Sequence, residues 1–260
     1  LKESGMALRN GLALATLYSF PTSFFAWRYS DSLAQFFIED PIATSLTADY
    51  VSIVFIGLLF SSYSFVFQGF FTGIEKTKIH MKVTIASNVL NVYLNAGFIY
   101  GSSGVQEFFN EHLSSLSLIS YLWGWVNFPA LGVKGAAIAT LVSSIWMAAH
   151  YTASLLHKET KVKYSVFRLI FDSEMMKRQV QLALPQGFQE SVIALGWGAF
   201  YKIVGIIGLI ELATTELLFT IMHASFMPAM GVGQACSTLV SKYMGQGQTK
   251  KSETSIRESV

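Results

Sequence analysis

VSIVFIGLLFSSYSFVFQGFFTGI, residues Val51 to Ile74, runs for 24 residues without an acid, a base or a histidine. A helix needs about 20 residues to cross the ~30 Å hydrocarbon core of a bilayer, and this run exceeds that length. Outward from it lie five comparable runs: Asn10–Trp27, Val83–Gln106, Gly135–His157, Gln179–Tyr201 (interrupted by Glu190) and Leu217–Ser241. A soluble domain would break such runs with surface charge. The pattern predicts an all-α membrane protein, a polytopic helical bundle with six transmembrane helices.

Composition agrees. Apolar residues make up 52% of the chain and charged residues 13%, against about 25% charged in soluble domains. A net charge of +2 supplies no field for nucleic acid, so the partners expected are the lipid bilayer and a small molecule, with no nucleic acid. Cys236 is the single cysteine, which excludes an internal disulfide and suits a buried small thiol. No signal peptide or initiator Met opens the sequence, and it closes on a polar, amphipathic stretch, Ser252–Val260. The chain therefore reads as an internal piece of a longer protein.

Lysines and arginines set the orientation. Alternate gaps between the runs hold fifteen of them, including Lys2, Arg9, Lys76, Lys78, Lys82 and the Lys158–Arg178 group; the other gaps hold only Arg28, Lys134 and Lys202. The positive-inside bias predicts six crossings with both ends cytoplasmic, in the cell membrane. Leu113–Val133 is uncharged too. Counted as a span, it would leave only Lys134 as a turn before the run at Gly135, so it is expected to be an outer loop dipping into the interface. Its Tyr121, Trp123, Trp125 and Phe128 suit headgroup depth. The charged segment 157–178 is the expected linker between residues 1–156, with four crossings, and residues 179–260, with two and the start of a third.

Gly69 and Gly73, Gly97 and Gly101, and Gly135 and Ala139 stand at the four-residue spacing that lets helix backbones approach closely. Pro21, Pro185 and Pro228 fall in or beside spans, where a proline frees a carbonyl and bends the helix.

Polar side chains inside spans are costly and normally face a partner or a wet cavity. Asn88, Asn91 and Asn95 lie three and four residues apart, on one helix face. They could bind a polar solute, coordinate a cation, or bond neighbouring helices. Glu190, close after Pro185 and beside Gln186 and Gln189, is a lone carboxylate whose burial would raise its proton affinity. It is the candidate for coupling to a proton or a cation; a carboxyl neutralised by hydrogen bonds is the plainer reading. Lys202 reads as a snorkelling side chain, and Glu216 as its partner or a vestibule residue. His150 and His223 read as buried, hydrogen-bonded imidazoles. Coupling to a proton or a cation needs no cofactor.

Gln68-Gly69-Phe70-Phe71-Thr72-Gly73-Ile74-Glu75-Lys76-Thr77-Lys78, then Ser87-Asn88-Val89-Leu90-Asn91 and Leu94-Asn95, resemble the fourth and fifth helices of MATE (multidrug and toxic compound extrusion) transporters. Leu131-Gly132-Val133-Lys134-Gly135-Ala136-Ala137-Ile138-Ala139-Thr140 resembles the start of their sixth helix, the most specific stretch. Phe226-Met227-Pro228, Gly231-Val232-Gly233-Gln234-Ala235 and Gly245-Gln246-Gly247 resemble their eighth. The order of the motifs is the family's order.

The resemblance implies a twelve-helix fold of two six-helix lobes, of which this chain would hold helices three to eight. It also implies a full-length monomer that exports organic, often cationic, compounds in exchange for protons or sodium, by alternating access. In that scheme Glu190 carries the coupling ion or proton, while Gln68, Asn88, Asn91, Asn95, Gln186, Gln189 and Glu216 line the cavity. Members with an acid in the seventh helix often place it eight residues after the proline, here Ile193; Glu190 stands three earlier, about 60° round the helix.

Two other functions fit parts of the sequence. A lipid-linked oligosaccharide flippase of the same superfamily would need cationic residues in its cavity, and these spans offer only Lys202. An intramembrane serine protease would use Gly101-Ser102-Ser103-Gly104 with His150 as a Ser–His dyad.

Overall fold

A computed structural model describes residues 2–37, 41–113, 117–157, 160, 162, 164 and 172–259. Among the described residues there are nine helices and no strand: α1 (Lys2–Arg28), α2 (Ser30–Phe37), α3 (Pro41–Gly73), α4 (Thr77–His112), α5 (Ser117–Gly124), α6 (Val133–Leu156), α7 (Ser173–Ile207), α8 (Leu209–Gly245) and α9 (Thr249–Ser259). All six apolar runs fall in long helices to within a residue at either end, and each helix begins before its run, because a backbone already hydrogen-bonded along its own axis continues until a turn residue stops it. The helices separate into two compact units, Leu1–Met176 and Lys177–Val260.

In the first unit α1 packs on α3, α3 on α6 and α6 on α4; the short α2 lies on α3 and α5 on α4. Neighbouring chain directions follow from single contacts. Val66 of α3 faces Gly11 of α1, and the Tyr63 hydroxyl lies 2.8 Å from that of Thr16, so these two helices run antiparallel. Asp49 near the start of α3 forms a 2.9 Å ion pair with Lys134 at the start of α6, so these two run parallel. At the opposite end Lys76 donates to the Thr160 hydroxyl at 3.1 Å, and Asn10 donates to the Asp172 carbonyl at 2.9 Å. The lysine-rich gaps thus gather at one end of the unit, while Asp49 and Lys134 mark the other.

Two aromatic cores hold these ends. At the basic end Phe67, Phe70, Phe71, Val83, Tyr151 and Leu155 cluster with Leu8. At the other, Leu94, Val105, Trp123, Phe128 and Ala139 do so. Pro41 opens α3 at the position where a missing N–H costs nothing. Hydroxyls along the helices bond back to the carbonyl four residues earlier, as Ser64 does to Phe60 and Ser143 to Ala139, so they add no unpaired group to an apolar surface.

The bend in α4 is at a glycine. Gly101 has φ 74° and ψ 164°, whereas α1, α7 and α8 run through Pro21, Pro185 and Pro228 as continuous helices. A helical Ser102 would donate its N–H to Phe98; instead it donates to Phe128 at 3.2 Å, and the Phe98 carbonyl accepts from Leu131 at 2.8 Å. Gly132 N–H reaches the Ile99 carbonyl at 3.3 Å. Segment 126–132 thus takes up the Ser102 N–H and the Phe98 and Ile99 carbonyls at the break.

That segment explains the motif at Leu131–Thr140. Gly132 adopts φ 56° and ψ −127°, a conformation open to glycine alone. Any side chain at Gly135 would overlap the Phe98 carbonyl, and Ala137 and Ala139 are 0% exposed. Gly97 likewise has the Phe128 ring where a Cβ would sit, at 2.8 Å. The Gly69 and Gly73 pair differs from its expectation: nothing lies within 4 Å of either position, because that face of α3 has no packed neighbour in this unit.

The described part of Leu113–Val133 holds no helix long enough to cross; α5 is eight residues long and packs on α4. Trp125 is 91% exposed, as an interfacial residue would be, but Trp123 and Phe128 are buried. Their depth has a physical cause: the Trp123 indole N–H donates to the Tyr93 carbonyl at 2.8 Å, and Phe128 fills the space left by Gly97.

In the second unit, α7 and α8 meet near the turn between them, where Trp197, Phe200 and Tyr201 meet Phe219 edge to face. Gly247, at φ 68°, ends α8, and α9 folds back along it: the Ser259 hydroxyl donates to the Cys236 sulfur at 3.0 Å. Large apolar residues such as Leu182, Leu195 and Ile206 point outward. Pro41–Gly73 and Ser173–Ile207 are long and apolar enough to cross a bilayer, and only 17% and 0% of their apolar stretches are buried. The core helix of a soluble protein would be mostly buried, so these surfaces fit lipid.

Candidate functional site

The amide stripe on α4 is present as a face. The Asn95 side chain donates to the Asn91 Oδ1 at 2.8 Å; both are half-buried, and Asn88 is exposed. This bond fixes Asn91 as an acceptor and leaves its NH₂ and the Asn95 carbonyl available to a polar solute. Gln68 is half-buried on α3.

On α7, Gln186, Gln189 and Glu190 are all exposed, and Glu190 has no hydrogen bond or ion pair among the described residues. The interior carboxylate expected from the sequence is not interior within this unit, because α7 and α8 make their ring contacts beyond it, at Trp197–Tyr201 and Phe219. Glu216 lies beside the Tyr201 hydroxyl. The sequence paired Glu216 with Lys202 or a vestibule and did not see Tyr201, fifteen residues earlier and across the α7–α8 turn.

The histidines also differ from expectation. His150 stands edge-on to Trp146 at 4.8 Å with its Nδ1 buried and unbonded, and His223 is exposed. The hydrogen-bonded imidazole is His80, which the sequence hides among the lysines of a charged gap. Its Nδ1 lies 2.6 Å from the Tyr151 hydroxyl and 3.3 Å from that of Thr84. Burial holds His80 below the usual histidine range, so the ring is neutral at pH 7. Tyr151 also stacks on Phe71 at 5.8 Å. No local spacing could have joined residues 71 positions apart.

A cavity of about 140 Å³ opens between α3 and α6, lined by Val54, Leu58 and Leu141, with the hydroxyls of Ser61 and Ser144 3.4 Å apart. None of the expected site residues lines it. Among the described residues no group of acids, histidines and cysteine could hold a metal ion.

The serine protease reading is overturned by distance. His150 neighbours Tyr151, which bonds His80 at the basic end of α4, whereas Ser103 is 23 residues further along that helix. At 1.5 Å per residue this separates the two side chains by about 35 Å. Ser102 is buried and engaged: it accepts from the Phe128 N–H at 2.9 Å and lies 2.6 Å from the Trp123 carbonyl.

Comparison with known proteins gives the family. The MatE family model matches residues 2–96 and 193–260, more than half of the chain and parts of both units. Asn88, Asn91, Asn95 and Glu216 lie inside these ranges; Glu190 and the Leu131–Thr140 stretch lie between them. A probable multidrug resistance protein NorM of Thermotoga maritima is 27% identical over 221 residues, covering 84% of this chain and 42% of its own length. A multidrug resistance protein NorM of Burkholderia vietnamiensis is 24% identical over 238 residues, covering 91% of this chain and 46% of its own length. The probable NorM of Agrobacterium fabrum is 24% identical over 249 residues, with 94% and 48% covered. The chain spans about half the length of the curated relatives it matches. An all-α fold, lipid-facing apolar helices and the match to both helical units place the chain in the MatE family.

Proposed function

We propose that this chain belongs to a transporter that exports organic compounds, many of them cationic, in exchange for inward protons or sodium ions, by alternating access. The observation that carries this reading is the match of both helical units to one family whose relatives bear the name multidrug resistance protein. Six crossings of the cell membrane with both ends cytoplasmic accord with the gathering of the lysine-rich gaps at one end of the first unit. The full-length protein works as a monomer and needs no cofactor.

Glu190 carries the coupling ion. It is the acid within the apolar run of α7, flanked by Gln186 and Gln189, and a carboxylate with no partner of its own can take a proton or a sodium ion as its surroundings change. Asn91 and Asn95, with Gln68 and Asn88, provide polar lining from the first unit. Substrate and ion act on the transport cycle only through their different affinities for its two states.

Efflux of a fluorescent organic cation from vesicles containing the intact protein, with proton and sodium gradients imposed separately, tests this. One gradient drives export, and Glu190→Gln inserts normally but loses the gradient dependence. Full gradient-driven export by that variant would refute the role of Glu190, and no gradient-driven export by the wild type would refute the function.

A further inference from the structure

The end of α8 and the start of α9 bring three lysines to one tyrosine. Lys242 lies in the last turn of α8, directly after the apolar run Leu217–Ser241, and Lys250 and Lys251 open α9 across the turn at Gly247. The Lys242 and Lys251 ammonium groups stand 5.7 Å and 5.8 Å from the centroid of the Tyr243 ring, so one ring gathers a charge from each helix. On α9, Ser252, Ser255 and Ser259 share the face turned to α8. Ser252 is buried, and the Cys236 sulfur lies 3.8 Å from the Ser255 carbonyl and 3.0 Å from the Ser259 hydroxyl. That anchoring leaves Lys250 and Lys251 exposed, and neither forms an ion pair among the described residues.

We propose that Lys242, Lys250 and Lys251, gathered around Tyr243, form a binding site for the phosphate of an anionic phospholipid, at the membrane face where α8 leaves the apolar run. The inference goes beyond the export reading and does not depend on it.

Charge and position select the ligand. The first turn of α9 holds no acid, so Lys250 and Lys251 sit beside N–H groups that are already partly positive. Stability of α9 alone would favour acids there; a bound anion offsets the repulsion. Ammonium groups pair with phosphate oxygens through charge-assisted hydrogen bonds, and each lysine near an anionic membrane surface adds to the attraction. The residues beside the charges point to a lipid as the source of that phosphate. A tyrosine just past an apolar run suits headgroup depth, with its ring on the apolar side and its hydroxyl in the polar layer. Met244 and Ile256, on the same hairpin, are 56% and 49% exposed. They offer contact to acyl chains, for which a water-soluble phosphate has no use. Glu253 stands three residues after Lys250, so the site suits one phosphodiester better than a polyphosphate.

Titration of the intact protein in detergent with phosphatidylglycerol, read by native mass spectrometry, tests the site, with phosphatidylcholine of the same acyl chains as the neutral probe. Lys250→Gln combined with Lys251→Gln is expected to weaken phosphatidylglycerol about tenfold and to leave phosphatidylcholine unchanged. Tyr243→Leu is expected to weaken the anionic lipid about threefold, whereas Tyr243→Phe, which keeps the ring between the lysines, retains the affinity. Lys78→Gln combined with Lys82→Gln removes the same charge from the first turns of α4 and should leave both lipids within about twofold of wild type. An unchanged phosphatidylglycerol affinity in the Lys250 and Lys251 variant would overturn the proposal. So would an equal loss in the Lys78 and Lys82 variant, which would reduce the effect to overall charge, or a wild type that binds both lipids alike. Glycerol 3-phosphate, the headgroup chemistry without chains, is expected to compete only in large excess. Competition at equal concentration would assign the site to a free phosphate and overturn the lipid.

Discussion

The Tyr151 hydroxyl and Nδ1 of His80 share a 2.6 Å hydrogen bond that ties the first turn of α4 to the last turns of α6. Because burial lowers the affinity of His80 for a proton in the folded protein, the unfolded chain binds that proton more readily. His80 therefore leaves stability intact above the unfolded value of about 6.5, and stability is lost as the pH falls below it toward the folded value. Thermal melts of the intact protein from about pH 8 to 5 should show a steeper acid loss in the wild type than in His80→Gln, which can still bond Tyr151. Parallel pH profiles would contradict the assignment.

Gly135 and Gly69 carry opposite expectations. Gly135→Ala drives a methyl group into the Phe98 carbonyl and must push α6 from α4, costing about 1–3 kcal/mol. Gly69→Ala meets open space on a helix and should gain about 0.5–1 kcal/mol from backbone entropy alone. Yields of folded protein after detergent extraction and melting temperatures would rank the two against wild type.

Ser102→Ala removes a buried hydroxyl that bonds the Trp123 and Val126 carbonyls and the Phe128 N–H, and should cost about 1–3 kcal/mol, whereas Ser103→Ala changes an exposed hydroxyl and should be silent. A serine-directed covalent probe is expected to label neither. Equal stability of the two variants would show that Ser102 does not clamp segment 126–132.

Asp49 and Lys134 lie at one end of the first unit and Lys78 belongs to the other. In a background lacking Cys236, cysteines placed at 49 and 134 should join through a short cross-linker and react with an impermeant maleimide from one side of the membrane. A cysteine at 78 should react only from the other. The ion pair itself is exposed, so breaking it should change stability by less than about 1 kcal/mol.

The helices were legible because lipid imposes a pattern on sequence: long uncharged runs, lysines in alternate gaps, and small residues where helices touch. Gly97, Gly101, Gly135 and Ala139 read correctly because backbone approach leaves room for little else. Gly69 and Gly73 carry the same spacing without a neighbour, so spacing alone does not identify a contact. Trp123 and Phe128 misled because a tryptophan suits the headgroup layer or a core equally well, and the choice lay with the Tyr93 carbonyl, 30 residues away. At the candidate site the sequence supplied the amide stripe and Glu216. It could not supply His80–Tyr151 or Tyr201–Glu216, since each pair is assembled by tertiary packing.

The break at Gly101 has a mechanical meaning. The end of α4 around the break is stitched through Phe98, Ile99 and Ser102 to the strap that leads into α6. Tilting that end of α4 must drag the beginning of α6 with it, as a bent arm moves with its brace. A hinge in this lobe would have to flex elsewhere, since the joint that looks loosest along the chain is the one most tightly sewn.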